Sequence, residues 1–279
     1  MKINDIFEIE NLECLEPTLN DHTETGYTGM TLSLDADDAR LLIDEEENPV
    51  AIAVHEKDGG WLVSSFLYRP FSLGILEFFE EFGSDIYQEN RNTCLFALRE
   101  YYCNDILNEF PSVIEDNRPG RYEMIKSLLD QTGWDGKGKT ALDFCCGSGV
   151  ATSVLRDKGF ETLSFDNDAG LISRGIQSGR LLPDYSMCID ASCASVFCPD
   201  ADFGIGLMLG DITAFNSHIW EGISAEIFGL CENVLISTAT EPEIKRIEGW
   251  CRDSGRKAEI FSNDRDPIYD AWVCLSEGF

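Results

Sequence analysis

Asp143-Phe144-Cys145-Cys146-Gly147-Ser148-Gly149 places a carboxylate, two thiols and two glycines within seven residues. An apolar run, Thr140-Ala141-Leu142, precedes it, and an amphipathic stretch, Val150 to Lys158, follows. Strand, glycine-rich turn and helix together form a nucleotide-binding βα unit. Glycine lets backbone N–H groups approach a ligand at a helix N-terminus, where a side chain would block them. A pyrophosphate has little use for the carboxylate of Asp143, whereas a ligand carrying a cationic ammonium group does. Glu161 to Asp166 reads as a second strand ending in an acid. A carboxylate at that strand end suits ribose hydroxyls, because it accepts both hydrogen bonds. Tyr185 to Ala191 reads as a third strand that carries Asp190.

The elements that must position these groups alternate. Asp168 to Gly179 has a helical stripe of Leu171, Ile172 and Ile176. Asp202 to Leu209 is short and nearly all apolar, as in a strand buried on both faces. Trp220 to Leu230 and Glu241 to Ser254 read as helices, with a strand at Asn233 to Ser237 between them. Lys257 to Phe261 and Ala271 to Leu275 read as two closing strands with no helix between them.

Leu142 to Gly149 resembles the first motif of class I S-adenosylmethionine-dependent methyltransferases: a hydrophobic residue, an acid, and spaced glycines. Gly147 and Gly149 match two of the glycines; Cys145 stands in place of the first. The closing strand hairpin resembles the family's sheet as well. Over residues 118–279 the resemblance implies an α/β fold: a Rossmann-like seven-stranded methyltransferase sheet with helices on both faces. It also implies S-adenosylmethionine as cofactor. Its site would comprise Asp143, Cys145, Gly147 and Gly149 in the loop and Asp166 at the ribose. Asp190, with Ala191 beside it, would lie at the adenine amino group. A helix at Arg121 to Leu129 would roof the cofactor, with Arg121 or Tyr122 reaching its carboxylate. The acceptor would lie near Gly210 to Thr213, where Asp211 and His218 are the titratable candidates for a catalytic base.

Leu209-Gly210-Asp211-Ile212 stands where the family's amide- and adenine-methylating branches carry Asn/Asp-Pro-Pro-Tyr. The expected acceptor is therefore a small molecule or a protein side chain. Two further readings remain: a non-catalytic S-adenosylmethionine-binding sensor or complex subunit, and a nicotinamide-dependent oxidoreductase. Gly147-x-Gly149 with Asp166 fits the last in part; Asp143 and the closing hairpin count against it.

The net charge is −30. Residues 1–117 hold 26 acids and 6 bases; residues 118–279 hold 25 and 15. Such acidity argues against a nucleic-acid partner, whose backbone needs cations to replace its counterions. It fits a salty cytosol, a basic protein partner or a cationic substrate, and it leaves a homo-oligomer open. No apolar run is long enough to span a bilayer. No apolar signal core follows Met1 to Asp5, so a cytoplasmic location is expected. The 11 cysteines are then reduced thiols. Cys188, Cys193 and Cys198 lack metal-site spacing, so no metal is expected. Cys145 and Cys146 abut a helix N-terminus, which can lower a thiol pKa, so a redox-sensitive loop stands as the alternative to plain small loop residues.

Residues 1–117 form the expected smaller α+β domain, for substrate recognition, oligomerisation or cleft covering. Thr28 to Leu34, Ala39 to Ile43, Pro49 to Val54 and Trp61 to Phe66 suggest a four-stranded meander. Leu73 to Phe82 and Asp85 to Phe110 suggest helices, before Pro111 and Pro119-Gly120 punctuate the boundary.

Overall fold

A computed structural model of the chain describes residues 2–115 and 117–278. Two compact units divide it, residues 1–105 and 106–279. The division falls ahead of the Pro119-Gly120 punctuation.

The first unit runs α1 (Ile3–Phe7), β1 (Leu12–Cys14), α2 (Gly26–Leu32), β2 (Ala36–Ile43), β3 (Pro49–Glu56), β4 (Trp61–Ser65), α3 (Leu73–Phe82), β5 (Gly83–Gln88) and α4 (Arg91–Glu109), the last crossing the division. Its sheet has the order β1-β4-β3-β2-β5. The central β2, β3 and β4 are an antiparallel meander, and β1 and β5 join the edges in parallel. The β2–β3 turn forms because Asp44 Oδ1 accepts the N–H groups of Glu46 at 3.0 Å and Asn48 at 2.8 Å. Ile52, Val54 and Leu41 meet Phe66, Ile75 and Phe78 in the core.

Two expectations fail here. Thr28 to Leu34 lies mostly in α2 rather than in a strand. Thr31 is buried there, and its hydroxyl bonds back to Tyr27 O at 2.9 Å, a local contact that accommodates a β-branched residue in a helix. The helix expected from Asp85 starts only at Arg91; the residues before it form β5. Gly83 marks the break, because a Cβ there would lie 2.3 Å from the Phe79 ring. The helical spacing of Leu95, Leu98 and Tyr102 belongs to α4 alone.

The second unit runs α5 (Arg121–Gln131), β6 (Thr140–Phe144), α6 (Val150–Asp157), β7 (Glu161–Asp166), α7 (Ala169–Gln177), β8 (Ser186–Cys188), α8 (Ala194–Phe197), β9 (Ala201–Gly206), α9 (Ser217–Leu230), β10 (Cys231–Thr238), α10 (Glu241–Asp253), β11 (Lys257–Ser262) and β12 (Trp272–Glu277). The seven-stranded sheet has the order β11-β12-β10-β9-β6-β7-β8. β12 is the one reversed strand, pairing antiparallel with both β10 and β11. The strand order reverses between β6 and β9. Right-handed crossovers on either side of that reversal put helices on both faces. β8 is shorter than its apolar pattern suggested, because Asp190 leaves the strand to cap a 3-10 turn at Ala191–Cys193. Ile125, Leu129, Val154, Leu155, Ile205 and Leu235 build one core face of the sheet. Among the described residues no helix is long and apolar enough to cross a membrane.

Candidate cofactor site

A cavity of about 600 Å³ opens beside the carboxyl ends of β6, β7 and β9, at the point where the strand order reverses. Open α/β sheets bind ligands at that place, and this volume lies within the usual range for small-molecule sites.

The loop after β6 is built on an aromatic floor. Phe144 and Phe165 are fully buried and meet edge-to-face, with centroids 4.7 Å apart. Above them Cys146 N–H donates to Phe165 O at 3.0 Å, tying the loop to β7. The chain then takes left-handed conformations at Cys145 (φ 52°), Gly147 (φ 54°) and Gly149 (φ 77°). Gly147 lines the cavity, and a Cβ there would meet nothing within 4 Å. Its bare backbone faces open space where a ligand fits. Gly149 has a different job. A Cβ there would lie 2.4 Å from Leu181, so this glycine closes the turn onto a side chain and does not line the cavity.

Three acids converge on the cavity from the strand ends: Asp143, Asp166 and Asp190. Asp143 is buried and accepts the Thr152 hydroxyl at 2.6 Å. With that hydrogen committed, the 3.0 Å contact between Thr152 and Ser164 has Ser164 as donor. Burial, with the nearby Asp166 charge adding to it, pushes the Asp143 carboxyl up to about 7, against the Thr152 hydrogen bond. Asp166 accepts Gly147 N–H at 2.8 Å and Asp168 N–H at 2.9 Å, one on each oxygen. Burial raises its pKa too, opposed by those backbone donors. Asp190 accepts Ser192 N–H and Oγ, both at 2.8 Å, and Ala191 lines the cavity beside it.

Arg121 also lines the cavity, but carboxylates outside it already hold the side chain. Its Nη1 lies 2.9 Å from Asp270 and 3.2 Å from Asp266. Tyr122 points away and donates to Asp157 at 2.5 Å, so it does not take part. Glu115 lines the cavity as well and pairs with Arg180 at 2.6 Å. Burial alone would raise its pKa; hydrogen bonds from Ser148 and Arg180 outweigh that and hold it below the usual value.

Cys145 and Cys146 line the cavity, and the redox-sensitive alternative gains no support there. Burial and then the surrounding aspartates push both thiols up. Asp211 and His218 are exposed and outside the cavity lining. In their place stand Met208, Ile219, Trp220 and Ile223. The sequence carried a signal for these four: the apolar run of β9 continues past the strand end, and α9 shows apolar spacing. Glu115 and Asn117 sit in an irregular segment and carried none. Among the described residues no group of three or more His, Cys, Asp or Glu is placed to hold a metal ion.

No protein-family model matches the chain, and no curated protein does. Solved structures resemble it. Magnesium protoporphyrin IX methyltransferase from Synechocystis PCC 6803, with S-adenosylmethionine bound, is 15% identical, with a TM-score of 0.45 over 67% of this chain and 97% of that one. A TehB-like S-adenosylmethionine-dependent methyltransferase from Corynebacterium glutamicum is 19% identical, with a TM-score of 0.42 over 56% and 86%. Precorrin-6y C5,15-methyltransferase from Geobacter metallireducens is 9% identical, with a TM-score of 0.43 over 62% and 95%. These likenesses are distant. A parallel sheet reversing at its first strand and closed by an antiparallel hairpin gives residues 121–277 the class I methyltransferase fold.

Proposed function

We propose that this chain is an S-adenosylmethionine-dependent methyltransferase acting on a small molecule or a protein side chain, with the donor held in the cavity at the β6 and β7 strand ends. One observation carries the reading: four acids line the cavity, only Glu115 among them is paired with an arginine of its own, and the only lining cation among the described residues, Arg121, is bound elsewhere. Such a site suits a ligand that brings positive charge and hydroxyl donors. Asp143 would hold the ammonium group. Asp166 has lone pairs left on both oxygens for ribose hydroxyls. Asp190 would accept from the adenine amino group. Gly147 gives the ligand room against the backbone, and the remaining N–H donors of Arg121 would meet the carboxylate. When bound, S-adenosylmethionine supplies a methyl group on a sulfonium, with a good neutral leaving group. The protein's task is then mainly alignment, which lowers the barrier by several kcal/mol. The lack of a free cation at the cavity also disfavours nucleic acid, which needs its phosphates met.

Calorimetric titration with S-adenosylhomocysteine and, separately, with NADH tests this. Micromolar binding of the first alone supports the donor site. Binding of NADH alone would move the chemistry to hydride transfer and overturn the proposal.

A further inference from the structure

We infer that the methyl acceptor is an apolar molecule free of phosphate and carboxylate, that its attacking atom is a neutral, weakly basic nitrogen, and that Met208 and Trp220 recognise it. This rests on the donor site proposed above.

The wall of the cavity beyond β9 is apolar: Leu207, Met208, Ile219, Trp220 and Ile223. Met208 is 45% exposed and Ile219 49%, and Phe215 on the same loop is 92% exposed. Large apolar side chains grouped at a cavity mouth mark a binding surface. The wall is also built to a fixed shape. Met208 has a left-handed backbone (φ 51°), unusual for a side chain of its size. Its N–H is held by Ser237 Oγ at 2.9 Å, and Ser237 donates to Asp270 at 2.6 Å. A Cβ on Gly210 would lie 2.6 Å from the Trp220 indole, so the loop leaves room for that ring.

Charge narrows the acceptor. Of the four carboxylates at the cavity only Glu115 has a cation of its own. With the donor bound, Asp143 is paired with its ammonium, but Asp166 and Asp190 meet only neutral donors; an anionic acceptor would meet repulsion from these two and find no unengaged cation among the described lining residues. Chemistry narrows it again. The apolar wall carries no titratable side chain, so nothing there takes a proton from an alcohol or a thiol. The acceptor must attack with a lone pair it already has. A thiolate has one, but the surrounding carboxylates oppose its charge. A neutral nitrogen meets no such penalty. Its lone pair forms the new N–C bond as the C–S bond breaks, the old pair stays on sulfur, and the positive charge passes to nitrogen. That charge remains where the carboxylates stabilise it. An aliphatic amine is mostly protonated at neutral pH, as lysine is. A heteroaromatic nitrogen is not, and its flat ring suits an indole and a thioether.

The test uses the full chain and three bicyclic probes of one size: isoquinoline, 2-naphthoate and 2-naphthalenethiol. Each is titrated calorimetrically into protein saturated with S-adenosylhomocysteine, then offered with S-adenosylmethionine for product mass analysis. Isoquinoline should bind at least about tenfold tighter than 2-naphthoate, a gap of about 1.4 kcal/mol, and yield the N-methyl cation. Trp220→Ala should weaken isoquinoline about tenfold while S-adenosylhomocysteine affinity changes less than about twofold. Met208→Lys should narrow or invert the preference over 2-naphthoate. Equal binding of the naphthoate, preferred methylation of the thiol, or no effect of either substitution would overturn the inference. If S-adenosylhomocysteine binds and none of the probes does, the acceptor assignment falls alone. If S-adenosylhomocysteine itself fails to bind, the donor site falls first.

Discussion

Two buried polar clusters, one in each unit, solve the same electrostatic problem in opposite ways. In the first unit Glu16, His22 and Arg69 have fully buried side chains. Arg69 donates to Glu16 and, at 2.6 Å, to Ser64, which itself donates to Glu16 at 2.9 Å. Tyr102 gives its one hydrogen to Glu16 O at 2.7 Å, so at 2.6 Å it accepts from His22 Nε2. Burial, reinforced by the Arg69 charge, pushes His22 down to about 3, so it is neutral and its 3.9 Å approach to Glu16 is no ion pair. One acid meets one base, so the charges balance, although Glu16 Oε2, His22 Nδ1 and Arg69 Nε are buried without a hydrogen-bond partner among the described residues. In the second unit Asp143 and Asp166 are both buried, the Asp166 charge adds to the cost of ionising Asp143, and both face a cavity. Carboxylates matched by a buried cation hold a fold together. Carboxylates facing a cavity without one await a cationic ligand.

The sharpest way to break this contrast is to remove one member from each cluster. Arg69→Ala leaves the Glu16 charge uncompensated and should cost about 3–5 kcal/mol in denaturant unfolding. Asp143→Asn should do the reverse. A carboxyl whose folded pKa is raised from 3.8 to about 7 keeps its proton longer in the folded state, so stability falls as pH climbs through that window and stays low above it. The amide removes this loss, and the variant should unfold at higher denaturant than the parent at pH 8 and show no gain at pH 3. A loss of stability at pH 8 would make Asp143 a structural group like Glu16.

Binding gives the second contrast. Affinity for S-adenosylhomocysteine should fall as pH drops below about 7, because the ammonium needs Asp143 ionised. The amide variant should bind at least about tenfold more weakly and lose that pH dependence. Asp166→Ala comes next, at about 1.5–3 kcal/mol for hydrogen bonds to a charged group. Methionine, which has no ribose, should not feel this change. Equal losses for both ligands would remove Asp166 from the ribose role.

The sequence announced the second cluster and was silent on the first. Asp143, Gly147, Asp166 and Asp190 stand at strand ends that periodicity and glycine place, so local pattern brings them to one side of a sheet. Arg121 was legible as a helix residue, but its partners Asp266 and Asp270 follow some 145 residues later and only folding joins them. The Glu16–Arg69 pair depends on long-range packing in the same way. α2 and β5 were misread for a related reason. A short helix with one buried threonine and an exposed parallel edge strand carry weak periodicity, and tertiary pairing decides both.

The smallest effect tests how far Cys145 is merely glycine's substitute. Its left-handed φ of 52° strains a residue with a Cβ, at a cost of roughly 1–2 kcal/mol. Cys145→Gly relieves that strain but returns roughly 0.5–1 kcal/mol of entropy to the unfolded chain. The net change should stay within about 1 kcal/mol, towards stability. Affinity for S-adenosylhomocysteine should move by less than about threefold, since the backbone and not the thiol shapes the loop. A drop of tenfold or more would mean that the sulfur itself touches the ligand. Cys145 would then be a contact residue like Asp143, and the loop's third small side chain would belong to recognition rather than to the turn.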